Sequence, residues 1–145
     1  MNNTDQTLVL VSLLAPFASF IATCLVARKY NGLIAWITIL FMLSAFLSAG
    51  LLVFRCWGQT APWLFSFDWF HAGSHSFTAD LLISNRSVVM LAVVSFISLL
   101  VHVYSITYMA GDADLKRYFA MLGFFTFSMQ GIVLSDNLLL MFIFW

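Results

Sequence analysis

Four long apolar runs divide the chain, and each is closed by a short polar break. Residues 8–27 end at Arg28-Lys29, 33–54 at Arg55, 88–109 at Gly111-Asp112-Ala113-Asp114, and 118–134 at Ser135-Asp136-Asn137. A bilayer core about 30 Å thick needs roughly 20 helical residues at about 1.5 Å each. Each run therefore predicts a transmembrane helix. A fifth run, 138–145, reaches only about 12 Å on the same rise. It predicts a helix cut short, and the chain is expected to be the N-terminal fragment of a longer protein. Between the second and third runs the period changes. Phe65, Phe67 and Trp69 alternate with Ser66 and Asp68, then Phe77, Ala79 and Leu81 alternate with Thr78 and Asp80. Alternation is the signature of a half-buried strand, so a β-hairpin is predicted over 63–83, with a turn over 71–76 centred on Gly73. The expected fold is an all-α polytopic membrane protein: four complete transmembrane helices, the start of a fifth, and an outer-side hairpin between helices two and three.

Composition agrees with lipid as the solvent. The chain is 63% hydrophobic and 8% charged, with a mean hydropathy of +1.00 and no Glu. An average soluble domain is about 25% charged, so too few polar residues are present to cover a water-facing surface. A formal net charge of zero leaves no basic stripe for nucleic acid. The first run is not a cleaved signal peptide, since Asn2, Asn3 and Asp5 stand where a basic leader would. Pro16 inside it predicts a kink, tolerable where neighbouring helices satisfy the freed carbonyl. If the helices alternate in direction, Arg28, Lys29, Lys116 and Arg117 share one side and Arg55 and Arg86 the other. That bias points the first group to the cytoplasm and the N-terminus outward. Trp57, Trp63 and Trp69 then suit the outer headgroup layer. Cys24 and Cys56 fall near opposite faces of the membrane, too far apart for a disulfide, and are read as free thiols.

Polar residues inside the runs are the candidate chemistry. Ser95, Ser98, His102 and Ser105 recur at i, i+3, i+7 and i+10, one face of a helix. His102 is the one ionisable residue deep in an apolar run, about 21 Å along its helix from Val88. It has two readings: a neutral, hydrogen-bonded histidine in a packing stripe, or a titrating member of a proton path, because imidazole titrates near neutral pH. Gln130 is a partner in such a path or a simple interhelical hydrogen bond. Asp136 is a proton entrance or a cap of the fifth helix. Ser44/Ser48, Ala45/Ala49 and Gly123/Gly131 read as close-packing faces. His71 and His75, near Asp68 and Asp80, lack metal-ligand spacing. No phosphate loop, Cys-x-x-Cys motif or nucleophile with a placed base is present.

The stretch Leu99-Leu100-Val101-His102-Val103-Tyr104-Ser105-Ile106-Thr107-Tyr108-Met109-Ala110-Gly111-Asp112 resembles the LVHxYSxxYMxGD signature of a family of complex I subunits. That family comprises subunit L of bacterial NADH-quinone oxidoreductase and its mitochondrial counterpart, subunit 5. Arg117-Tyr118-Phe119-Ala120, Ser135-Asp136-Asn137-Leu138-Leu139-Leu140 running to Phe144-Trp145, and Phe67-Asp68-Trp69-Phe70 are similar to the same family. One departure stands at the start of the third run, where Ser84-Asn85-Arg86-Ser87 replaces the usual Asp-x-Leu-Ser.

The resemblance implies an antiporter-like subunit of about fourteen helices with a proton channel, embedded in the bacterial inner membrane beside other membrane subunits of complex I. It implies that NADH, FMN, iron–sulfur clusters and quinone are handled by other subunits, with no cofactor or metal bound by this chain. It also implies a Glu directly after Trp145 as a mid-membrane proton group, so that residues 1–145 alone would not translocate protons. Candidate proton-path residues within the chain are His102, Asp136 and Gln130. Related complexes share the fold: multi-subunit cation/proton antiporters, and hydrogenase or inorganic-carbon-uptake assemblies.

Overall fold

A computed structural model of the protein describes residues 3–26, 31–57, 62–72 and 75–145. Five helices and two strands follow one another: α1 (Asn3–Leu25), α2 (Asn31–Cys56), β1 (Trp63–Ala72), β2 (His75–Ile83), α3 (Asn85–Tyr108), α4 (Leu115–Leu134) and α5 (Leu138–Phe144). Three of them, α1, α2 and α3, are long and apolar enough to cross a membrane. α4 has 20 residues, about 30 Å at the usual rise, but Lys116 and Arg117 occupy its first turn and dilute its apolar length. A set of four complete spans is therefore more than helix length and apolarity establish.

The first four helices form a bundle that alternates in direction. Arg55 at the end of α2 reaches Asp5 at the start of α1 (3.0 Å) and also donates to Thr4 Oγ1. At the other end, Lys116 opening α4 donates to the carbonyls of Cys24 and Val26, capping the close of α1 where helix carbonyls lack partners. α1 continues through Pro16 to Leu25. α3 starts at Ser84, whose hydroxyl accepts from the Ser87 N–H; the departing Ser-Asn-Arg-Ser segment thus supplies a serine N-cap. Gly111, at φ 87°, turns the chain from α3 toward α4 in a conformation that favours glycine.

Two apolar clusters close the ends of the bundle. Val9, Leu52, Ile83, Val88, Leu91 and Leu134 form the cluster at the hairpin end. Ile34, Ala35, Met109, Leu115 and Phe119 form the other. Close packing uses small residues, as expected where apolar lipid removes the hydrophobic drive between helices. Ala45 and Ala49 are fully buried. A Cβ on Gly123 would sit 3.3 Å from the Pro16 carbonyl oxygen of α1, and one on Gly131 would run into the Phe144 ring of α5. Leucines such as Leu40, Leu47 and Leu51 lie outward and exposed.

The hairpin pairs β1 with β2 from Trp63↔Ile83 to Ala72↔His75, with an irregularity between Asp68 and Phe70. This shortens the turn expected over 71–76, because His71 and Ser76 are already paired. The ladder runs on to Ala72↔His75, and Gly73, the predicted centre of the turn, lies outside the described residues. β2 also bridges to the α4–α5 connection: Leu81 pairs with Ser135, and the Asp136 N–H donates to the Asp80 carbonyl at 3.0 Å. The hairpin is thereby tied to the start of α5 as well as to the α2–α3 connection. Cys24 is exposed and Cys56 buried, both free. The metal reading of His71, His75 and Asp68 rests on side chains outside the described ones.

Candidate functional site

Between the two apolar clusters the bundle interior is polar. α3 turns one face inward, and Ser95, Ser98, His102 and Ser105 on it are all buried. The i, i+3, i+7, i+10 spacing brings these residues onto a single stripe. α4 faces them with Thr126 and Gln130, one helical turn apart and both buried.

The bonds run in three groups along the helices. Nearest the hairpin, Gln130 Nε2 donates to Ser95 Oγ at 2.9 Å, and Ser95 donates to the Leu91 carbonyl. In the middle, the Ser98 and Thr126 hydroxyls lie 2.6 Å apart, with Met42 Sδ of α2 3.6 Å from Ser98 Oγ. Furthest from the hairpin, Ser105 meets the Tyr118 hydroxyl at 3.0 Å. His102 belongs to the middle group. Its Nδ1 is 2.8 Å from the Ser98 carbonyl oxygen and 3.4 Å from Ser98 Oγ, and its ring lies against Phe119. A carbonyl only accepts, so Nδ1 carries the proton in this contact and Nε2 keeps its lone pair. Nε2 is buried with no hydrogen-bond partner among the described residues, as is Gln130 Oε1.

The structure thus brings two of the three candidates, His102 and Gln130, to one interior. Asp136 is exposed in the α4–α5 connection beside β2, at the end of the bundle away from Tyr118. Nor does Asp136 cap α5. Asn137 does, its side chain accepting from the Leu139 N–H at 2.9 Å. Removing that cap costs about 1 kcal/mol in typical helices. Asn137→Ala is accordingly expected to speed amide exchange in the first turn of α5 and leave α1–α3 unchanged; equal exchange in both proteins would contradict the capping role.

Inspection of the chain missed half of this interior. Thr126, Thr38 of α2, and Ser12, Ser19 and Thr23 of α1 are all buried. The signal was present, since Ser12, Ser19 and Thr23 recur at i, i+7 and i+11, a single helical face. Isolated hydroxyls in an apolar run are easily passed over because many satisfy themselves on their own helix, as those of Ser12, Thr38 and Thr126 do.

The comparisons with known proteins meet this site directly. A family model described as NADH-Ubiquinone oxidoreductase (complex I), chain 5 N-terminus, matches residues 69–119, a stretch holding all of α3 and the start of α4. The NADH-quinone oxidoreductase subunit L of Campylobacter jejuni is 38% identical over 97% of this chain and 22% of its own length. This chain belongs to the subunit L/chain 5 family of complex I. The NADH-ubiquinone oxidoreductase chain 5 of Chondrus crispus is 33% identical over 94% of this chain and 20% of its own length. The F(420)H(2) dehydrogenase subunit L of Methanosarcina mazei is 44% identical over 55% of this chain and 11% of its own length. The chain spans about a fifth of the length of the family members it matches along most of its sequence.

Proposed function

We propose that the chain is part of a proton-translocating membrane subunit of an NADH-quinone oxidoreductase, and that the α3–α4 seam belongs to its proton-handling interior. One observation carries this reading: His102, an ionisable side chain with a free Nε2 lone pair, is held in the middle of a bundle whose exterior is apolar. Buried polar groups of this kind are expensive in a membrane and mark ion or proton pathways. His102 would take a proton at Nε2 while the Ser98 carbonyl holds Nδ1–H and fixes the ring. Gln130 would orient Ser95, and Asp136 would stand at the exposed rim.

The relatives support a role apart from the redox chemistry. Their complexes are named for different electron donors, NADH and F(420)H(2), so a subunit common to both is better suited to transport than to donor binding. Two cysteines in the whole chain cannot supply the four thiolates of an ordinary iron–sulfur cluster. We assign FMN, clusters, NADH and quinone to other subunits, which are the proposed partners together with lipid. Four spans, residues 118–134 forming the last complete one, and a fifth beginning at 138 make up the proposed N-terminal domain segment, in a bacterial inner membrane.

The orientation proposed has the N-terminus and the hairpin outside. Reporter fusions after Lys29 and after Gly73 in the full-length protein are expected to give internal and external signals respectively. An external signal after Lys29 would overturn it. The function is tested by deleting the gene: NADH-driven acidification by membrane vesicles is expected to fall and to return with the full-length gene. Restored pumping driven by Na⁺/H⁺ exchange without NADH would instead indicate an antiporter.

A further inference from the structure

We propose that the groove between α3 and α4 seats one zwitterionic phospholipid, its phosphate on Arg117, its ammonium at Asp114 and an acyl chain lying along the groove. Two cavities make up this groove. One, of about 470 Å³, takes in Asp114, Arg117 and Met121. The other, of about 180 Å³, takes in Val101, Thr126 and Met129, and the two share Leu122 and Phe125 as walls. On α4 the lining positions recur every three or four residues from Asp114 to Met129, which keeps them on one face. From Arg117 to Met129 that face runs about 18 Å. This is slightly more than one leaflet of a hydrocarbon core about 30 Å thick.

The charges at its mouth are opposite and uncommitted. Asp114 and Arg117 stand three residues apart, the spacing at which opposite charges on a helix ordinarily pair, yet no ion pair joins them. Asp114 opens α4 without a side-chain capping bond. The charges beside them are already engaged: Lys116 holds the carbonyls of Cys24 and Val26, and Asp112 accepts from the Asp114 N–H. A phosphatidylethanolamine headgroup carries the matching pair. Its phosphate accepts from a guanidinium, often through two parallel bonds, and its primary ammonium donates to a carboxylate.

An acyl chain suits the groove better than a further helix does. Close helix contacts in membranes use small residues, as Gly123 does against α1 and Gly131 against Phe144. No glycine or alanine is among the described residues lining the groove. Its rims are instead the long, exposed side chains of Ile97, Met121 and Phe125. The floor is polar but satisfied, because the Ser98 and Thr126 hydroxyls bond each other and Thr126 donates to the Leu122 carbonyl. A hydrocarbon chain can lie over it without stranding a donor. The site stands whether or not the seam beneath it carries protons.

An electron cryo-microscopy map of the full-length protein in its membrane assembly tests this, in nanodiscs of phosphatidylethanolamine and phosphatidylglycerol. A lipid is expected with its phosphate about 3 Å from the Arg117 guanidinium and one chain along Leu122 and Phe125. A protein helix in the groove, or no ordered lipid there, would overturn the proposal. Mass spectrometry of the lipids kept by the detergent-purified assembly tests the headgroup separately. Arg117→Gln should lose one phosphatidylethanolamine per complex. Asp114→Asn should exchange it for phosphatidylglycerol, because the ammonium has lost its partner. The same lipid retained by both variants would overturn the headgroup assignment.

Discussion

Gly123→Leu is expected to keep the full-length protein from accumulating in the membrane. A Cβ at 123 would already sit 3.3 Å from the Pro16 carbonyl oxygen and 3.5 Å from the Phe20 nitrogen. Both are backbone atoms, so no side-chain rotation can make room, and the rest of a leucine would have to part α1 from α4. Overpacking a tight interface typically costs about 1–3 kcal/mol. In lipid, where close packing itself drives helix association, that loss falls on the contact that closes the bundle. Gly123→Ala should be far milder, because a shift of a few tenths of an ångström relieves it. Gly50, with nothing within 4 Å of a Cβ, is the control: Gly50→Leu should accumulate normally. Blotting of membrane fractions reads all three. Wild-type levels of the Gly123→Leu protein would contradict the α1–α4 packing described here.

Much of this architecture is legible in the amino-acid pattern because membrane helices are set by a length rule. Apolar runs closed by Arg28-Lys29 or Gly111-Asp112 announce themselves, and the alternation around Phe67 and Ala79 announces the hairpin. Boundaries drift at polar ends. Asn3, Asn31 and Asn85 are helical although the apolar runs start later, since caps and terminal polar residues extend a helix beyond its apolar stretch. What the pattern could not give is pairing. Nothing local shows that Leu81 meets Ser135, or that Lys116 caps α1 across 90 positions of sequence. The half of the site on α3 was readable from His102 and its serines. The half on α1 and α2 was hidden, because a lone Ser or Thr in an apolar run carries little signal until a facing helix is known.

Stability alone gives little reason for this polar interior. Interhelical hydrogen bonds in membrane proteins average about 0.6 kcal/mol, so Gln130–Ser95 and Ser98–Thr126 contribute on the order of 1 kcal/mol together. Burying His102 Nε2 and Gln130 Oε1 removes them from bulk water, which offsets a gain of that size unless each finds a partner. An apolar stripe of the same shape would hold the helices together as well. The proposed proton-handling role would account for the arrangement, with the Ser98 carbonyl holding Nδ1–H and Phe119 lying against the ring.

The second large effect concerns that group. His102→Ala and His102→Gln in the full-length protein are both expected to lower proton translocation while NADH oxidation by quinone continues. Losing a positioned proton-transfer group typically slows its step by on the order of 100-fold. Alanine leaves the Ser98 carbonyl and the Phe119 ring without their neighbour, so some loss of assembly accompanies it. Glutamine keeps a hydrogen-bonding side chain and should restore assembly, yet an amide does not take up a proton at neutral pH. The decisive measurement is the number of protons moved per NADH oxidised by vesicles carrying a fully assembled His102→Gln complex. The account predicts a ratio clearly below wild type at comparable electron transfer. An unchanged ratio would contradict it and leave His102 as a packing residue.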